Sequence, residues 1–243
     1  MTVLTVENLT VAFGPAVAVR DISLHAERGT VTGILGANGA GKTTTLLGIH
    51  GRVRRSSGRI LLDGQDVTGH DTAALVRAGV ALCPENRRLF PAMTIEDNLL
   101  LGADGHGRRE QRRRLAGTYE RFGWVAERRA EPAGRLSGGQ QQTVAIARAL
   151  MSKPRLVLLD EPSSGLSPVA VEEVGDLLET ITLDGTAVLL VEQNVHLVRR
   201  LCRTAWVLAH GEVTAGGPVA DLVRTGAVSD AYLGRSAASR ERP

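Results

Sequence analysis

The sequence predicts an α/β chain built on a mostly parallel sheet, with an antiparallel β region ahead of it and a helical insert within it. Three observations carry that expectation. Short apolar runs at 30–35, 155–159 and 187–191 alternate with stretches of helical period, which implies parallel strands joined by helices. The opening residues alternate with period two. From about 85 to 131 strand signals vanish and arginine-rich helix formers take over. At 243 residues the chain suits one large core with an inserted subdomain, given roughly 150 residues per domain. The reading is one domain over 1–235, with the insert at about 85–150 and a frayed tail at 236–243.

The elements follow in order. Val3, Thr5 and Glu7, then Leu9, Val11 and Phe13, read as a half-buried strand pair. After a turn at Glu27-Arg28-Gly29, residues 30–35 form a buried strand that ends at Gly36 and gives way to a helix from about Lys42. Short strands follow at 59–62 and 79–82, with Asp63-Gly64 a turn. Beyond the insert come a strand at 155–159, a helix around 169–182 and a strand at 187–191. Residues 206–209 and 212–215 flank His210-Gly211 as a tight hairpin.

Composition removes several classes. Apolar residues at 43% and charged residues at 23% are those of an ordinary folded chain, not a disordered or fibrous one. No apolar run approaches the roughly 18 residues of a bilayer span. The opening shows no export signal, so the cytosol is the default. Cys83 and Cys202 cannot build a disulfide framework, and the six histidines lack metal-ligand spacing. A net charge of +3 is too small to argue for nucleic acid.

The chemistry concentrates in three motifs. Gly36-Ala37-Asn38-Gly39-Ala40-Gly41-Lys42-Thr43-Thr44 fits G-x-x-x-x-G-K-[ST], after a strand and before a helix. Its glycines let backbone N–H groups turn toward phosphate oxygens, and the helix N-terminus adds positive potential. Gly36, Asn38, Gly39, Ala40, Gly41, Lys42, Thr43 and Thr44 are therefore candidate nucleotide-binding residues, with Lys42 at the β- and γ-phosphates and Thr43 at Mg²⁺. Asp160 and Glu161 end an apolar strand, where neighbours face opposite ways and take different tasks. Asp160 is the candidate metal ligand, and Glu161 would orient or deprotonate the attacking water. The third motif, Leu136-Ser137-Gly138-Gly139-Gln140, opens an amphipathic helix with Ser137 as N-cap. A second anion-binding helix end is superfluous for a phosphate already cradled in cis, which suggests that it serves another subunit's nucleotide.

Together these residues resemble an ATP-binding cassette (ABC) subunit of transporters, over nearly the whole chain. The resemblance implies a P-loop NTPase core with an antiparallel β subdomain and an inserted helical signature subdomain, using ATP and Mg²⁺. It is closer to LivF-type ATPases of branched-chain or hydrophobic amino acid importers, through Cys83-Pro84-Glu85-Asn86-Arg87-Arg88-Leu89-Phe90-Pro91, Leu190-Val191-Glu192-Gln193-Asn194 and Ala231-Tyr232-Leu233-Gly234. Glu85 stands where most cassettes have the lid glutamine, a catalytic and metal-side position. Ser167 replaces the D-loop aspartate, and Gln193 replaces the switch histidine. Gln193 is either a γ-phosphate and water contact or a cap of the helix beginning near Asn194. Phe13 matches the aromatic that stacks on adenine, the alternative being a core aromatic of the first strands.

By the same resemblance, two cassettes close head to tail, so Ser137, Gly138, Gly139 and Gln140 act in trans on the partner's nucleotide. The second ATPase subunit is expected to be a distinct paralogue, both lying under two membrane permeases fed by a solute-binding protein, on the inner face of the cell membrane. Coupling helices of the permeases would dock near 85–101, where Leu89, Phe90, Met93 and Ile95 offer apolar area. The arginines of 108–114 read as a solvated helix face or loop, with lipid headgroup contact the other reading. Alternatives are urea or amide uptake, lipid export, or a soluble non-transport ABC ATPase.

Overall fold

The computed structural model describes residues 1–232; the tail expected at 236–243 and the end of the 231–234 segment lie outside them. Strands β1 (Thr2–Phe13) and β2 (Ala16–Glu27) form a long hairpin. β3 (Val31–Leu35) leads through the phosphate loop into α1 (Lys42–Ile49). β4 (Ser57–Leu62), β5 (Gln65–Asp66), α2 (Thr72–Arg77) and β6 (Val80–Cys83) follow. The insert holds α3 (Ile95–Leu101), α4 (Arg108–Arg121), α5 (Gly123–Glu127) and α6 (Gly138–Leu150). The core resumes with β7 (Leu156–Asp160), α7 (Pro168–Leu183), β8 (Ala187–Glu192), α8 (Val195–Leu201), β9 (Cys202–Ala209) and β10 (Glu212–Pro218), and then α9 (Val219–Arg224) and α10 (Ala227–Tyr232).

Two sheets result. One has the order β10-β9-β3-β8-β7-β6, parallel throughout except for the β9–β10 hairpin; the other is antiparallel, β2-β1-β4-β5. Every residue of β3, β7 and β8 is buried, because both faces of the parallel sheet are covered. Alternate residues serve the two faces. Ile34, Leu158, Leu189 and Val191 join α1 and the antiparallel sheet in one core. Leu35, Val157, Leu159, Val188 and Leu190 join α6, α7 and α8 in the other. A third cluster, with Ile95, Leu99, Leu115, Val144 and Met151, gives the insert its own interior.

The simple alternation read through β1 breaks. Leu4 and Val6 are core residues, and then Leu9 and Val11, because a register shift between Val6 and Leu9 with Asn8 at φ +50° resets the parity. Within the insert the only bridge among the described residues is Thr94–Pro132. Ile95 is fully buried there, so of the four apolar residues expected to face a permease it offers no surface, whereas Phe90 is 54% exposed. The arginine run lies on α4. Arg114 is drawn inward, donating to Glu110 and to the Met151 carbonyl, while Arg113 remains solvated.

Candidate functional site

The carboxyl ends of β3, β7 and β8 stand side by side, so the loops leaving them converge. A pocket of about 540 Å³ opens there, lined by Asn38, Gly39, Gly41, Lys42, Thr43 and Thr44 together with Glu85, Glu161, Val17, Ala18, His210 and Gly211. The loop 36–41 can curl only because Gly39 and Gly41 take φ of +78° and +98°. At Gly41 a Cβ would also stand 2.6 Å from the Val19 side chain. Among the described residues no side chain caps α1, so its first N–H groups and its dipole are open to an anion. Of the other loop residues, Gly36 supplies a carbonyl to Lys42, and Ala40 is buried beneath the pocket.

Lys42 is 4% exposed and donates through Nζ to the carbonyls of Gly36 (3.0 Å) and Ala37 (3.1 Å), with Glu161 Oε1 at 3.3 Å. The Thr43 hydroxyl donates to Asp160 Oδ1 at 3.0 Å. Burial pushes the Asp160 carboxyl up to about 6; the Thr43 hydrogen bond opposes this, the Glu161 and Glu85 charges add to it, and Lys42 opposes it. A hydroxyl and a carboxylate side by side are hard oxygen donors of the kind Mg²⁺ takes alongside phosphate oxygens. The residues present therefore fit that ion. Glu161 sits one residue beyond β7 at φ +46°, held by its N–H to Val191 O (2.9 Å).

Gln193 reaches both carboxylate oxygens of Glu161 and Asn38 Oδ1 through Nε2, each at 2.7 Å. It does not cap α8; Asn194 does, accepting from the Leu197 N–H. Sequence reasoning passed over Glu192, which is 2% exposed and accepts the N–H groups of Ser163, Gln193 and Asn194, tying the loop after Glu161 to the loop that carries Gln193. Burial raises its pKa against those hydrogen bonds. An acid closing a fully apolar strand, as Asp160 does, was the available signal. Val17, Ala18, His210 and Gly211 were missed as well, since nothing local marks them.

Phe13 is not among the residues that line this pocket, although Val17 on the facing strand is. It pairs with Ala16 at the end of the hairpin and is 55% exposed, so the core alternative fails. None of 137–140 lines this pocket. Ser137 caps α6 in a reciprocal box with Gln140, whose Oε1 also accepts from Arg128. Ser167 caps α7.

Glu85 is followed by three residues in the left-handed region, Asn86, Arg87 and Arg88, at φ +62°, +60° and +46°. Arg148 of α6 grips the carbonyls of Arg87 and Arg88, at 2.8 Å each. Beyond them Phe90 lines a second cavity of about 380 Å³, with His50, Val76, Leu82, Leu101 and Arg148. One strained segment thus joins the phosphate pocket to an apolar groove.

Comparison with known proteins agrees with this geometry. The chain is 36% identical over 231 residues to the high-affinity branched-chain amino acid transport ATP-binding protein BraG of Pseudomonas aeruginosa, covering 95% of this chain and 99% of that one. It is 33% identical over 236 residues to the lipopolysaccharide export system ATP-binding protein LptB of Escherichia coli, covering 96% and 98%. The ADP conformation of MJ1267, an ATP-binding cassette of an ABC transporter, superposes with a TM-score of 0.86 at 26% identity, covering 97% of this chain and all of that one. Residues 19–164 match the ABC transporter family, and with a phosphate loop, an acidic strand end and this fold the chain belongs to that family as an ATP-binding, ATP-hydrolysing subunit.

Proposed function

We propose that this chain drives an importer of branched-chain or other hydrophobic amino acids, working as one ATPase domain over 1–235 with its signature subdomain at about 85–150. The observation that carries the motor role is that Lys42, Thr43 and Glu161 line one pocket while Asp160 and Gln193 are hydrogen-bonded to Thr43 and Glu161 behind it. Lys42 and the α1 N-terminus hold the phosphates, and Thr43 and Asp160 hold Mg²⁺, with Glu85 near enough to Asp160 to influence its charge. When bound, the ion supplies charge neutralisation at the β- and γ-phosphates. Glu161 accepts the proton of the attacking water or orients it, and Gln193 fixes the Glu161 carboxylate. Since 137–140 stand apart from this pocket, the signature helix end serves the nucleotide of a second cassette subunit.

The partners are then that second ATPase, two membrane permeases whose helices enter the groove at Phe90, and indirectly a solute-binding protein. Among the described residues no helix is long and apolar enough to cross a membrane; in this reading the subunit works against its permeases on the inner face of the cell membrane. The similarity to BraG supports amino acid import. The similarity to LptB over as much of the chain supports a second reading, lipid export. Assembly with two permeases and the second cassette in proteoliposomes should give ATP-dependent uptake of labelled leucine when binding protein is present. ATP-driven lipopolysaccharide movement without leucine uptake would select the second reading.

A further inference from the structure

We infer that Glu192 is a positioning residue for ATP hydrolysis, setting where Glu161 and Gln193 stand relative to each other by holding the loops that carry them. The assignment rests on the roles given to those two residues above. β8 runs between β3 and β7, so its last residue stands between the strand that opens the phosphate loop and the strand that ends in Asp160. There the Glu192 carboxylate spans two loops. Its Oε1 accepts the Ser163 N–H at 2.9 Å, two residues beyond Glu161, and its Oε2 accepts the N–H groups of Gln193 at 3.1 Å and Asn194 at 3.2 Å. Gln193 Nε2 in turn meets both Glu161 oxygens at 2.7 Å. Two side chains that grip each other are thus referred, through their loops, to one carboxylate behind them.

A carboxylate is costly to bury, and this one is 2% exposed with backbone N–H groups, and no cation among the described residues, to offset the loss of water. An aliphatic residue would continue the strand without that cost, as Val188, Leu189, Leu190 and Val191 do. What the carboxylate adds is two acceptor oxygens, one for each loop, where an amide has a single one. Other holds fix each loop by itself. The Glu161 N–H donates to Val191 O, Ser167 caps α7 at the far end of that loop, and Asn194 caps α8 after the other. Between these points Glu192 ties the backbone of one loop to the backbone of the other. The groups assigned to the phosphates and the ion take their hydrogen bonds elsewhere, Lys42 from Gly36 O and Ala37 O, and Thr43 with Asp160. Loosening Glu192 should therefore act on turnover and spare affinity.

The test is steady-state hydrolysis by the assembled transporter, with the second cassette's own catalytic glutamate disabled so that turnover reports this chain, alongside calorimetric titration of the full chain with MgATP. Glu192→Gln keeps the volume and offers one acceptor oxygen, so it can serve one loop only. Its kcat should fall about tenfold or more, since a misplacement of about 1 Å at reacting groups can cost on the order of 10²-fold, while KM and the Kd for MgATP stay within about twofold. Glu192→Asp, which keeps both oxygens on a shorter arm, should show the same split and serves if the amide variant does not fold. A residue that only supported the fold would lower Tm and leave kcat per folded chain unchanged. Combining Glu192→Gln with Gln193→Ala separates the two roles further: once the Gln193 side chain is gone its placement no longer matters, so the combined loss should fall well short of the product of the separate losses. Two results would overturn the assignment: parental kcat in the folded Glu192 variants, or losses that multiply. Parental turnover in Glu161→Gln would instead sink the role of Glu161 on which the assignment rests, a separate result.

Discussion

Lys42 and Glu161 form an ion pair at the floor of the pocket, and Gln193 grips the same carboxylate from the other side. A phosphate arriving at Lys42 competes for this pair, so the two carboxylates at the end of β7 fall to different tasks. Asp160 is kept by the Thr43 hydroxyl, while Glu161, on its left-handed residue, faces the pocket. Removing the Glu161 charge alone should separate binding from chemistry. Glu161→Gln is expected to bind ATP within a fewfold of the parent and to hydrolyse it roughly 10² to 10⁴ times more slowly, the usual weight of a general base. Phosphate release by the assembled transporter measures this; turnover at the parental rate would remove Glu161 from the reaction.

Helix α1 shows how one element serves two sites. Its N-terminus faces the phosphate pocket, and the residue that caps its C-terminus, His50, lines the groove beside Val76, Phe90 and Leu101. His50 is 5% exposed, and neither ring nitrogen has a hydrogen-bond partner among the described residues. Burial, aided by the Arg52 charge, lowers its pKa to about 4. Folded and unfolded chains both hold it neutral above its ordinary value of 6.5. As pH falls through 6.5 the unfolded chain takes up a proton that the folded chain refuses until about 4, so stability is lost across that window. Asp160, with its raised pKa, acts in the opposite sense, gaining stability as pH falls below about 6. Comparison with His50→Leu cancels that contribution. Between pH 7 and 4.5 the parent should lose on the order of 2–3 kcal/mol more than His50→Leu in urea denaturation. Equal pH slopes would show that His50 titrates normally.

At the scale of the whole molecule, the signature helix end stands apart from the nucleotide pocket of its own chain, since none of 137–140 lines it, although α6 packs on the parallel core as well as within the insert. The 86–88 segment leads from β6 into the insert, and Arg148 fixes it from α6. In a head-to-tail dimer the loss of one signature should therefore be felt at the other subunit's nucleotide. Pairing a Ser137→Arg chain with an unaltered partner cassette should abolish ATP trapping at the partner's phosphate loop. The altered chain's own loop should keep its affinity, which separately labelled nucleotides would report. A loss confined to the altered chain's own site would rule out action in trans.

What the sequence determined by itself was whatever depends on neighbours along the chain. The apolar runs of β3, β7 and β8 announce strands buried on both faces, Gly39 and Gly41 announce a loop of positive φ, and Ser137 announces a cap. Lys42, Thr43, Asp160 and Glu161 were legible because each sits at a strand or helix end whose position follows from its own local pattern. Tertiary structure alone decided the rest. The parity of β1 depends on a bulge in its pairing with β2, Glu192 matters because the distant loop after Glu161 brings the Ser163 N–H to it, and Ile95 is core because the insert closes over it. His210 and Gly211 reach the pocket wall through hydrogen bonds between segments some 170 residues or more apart, Gly211 to Ala40 and Arg20 to Gly211. Contacts of that separation leave no periodic trace in a sequence, because they are set by how finished elements pack and not by the propensity of any one of them.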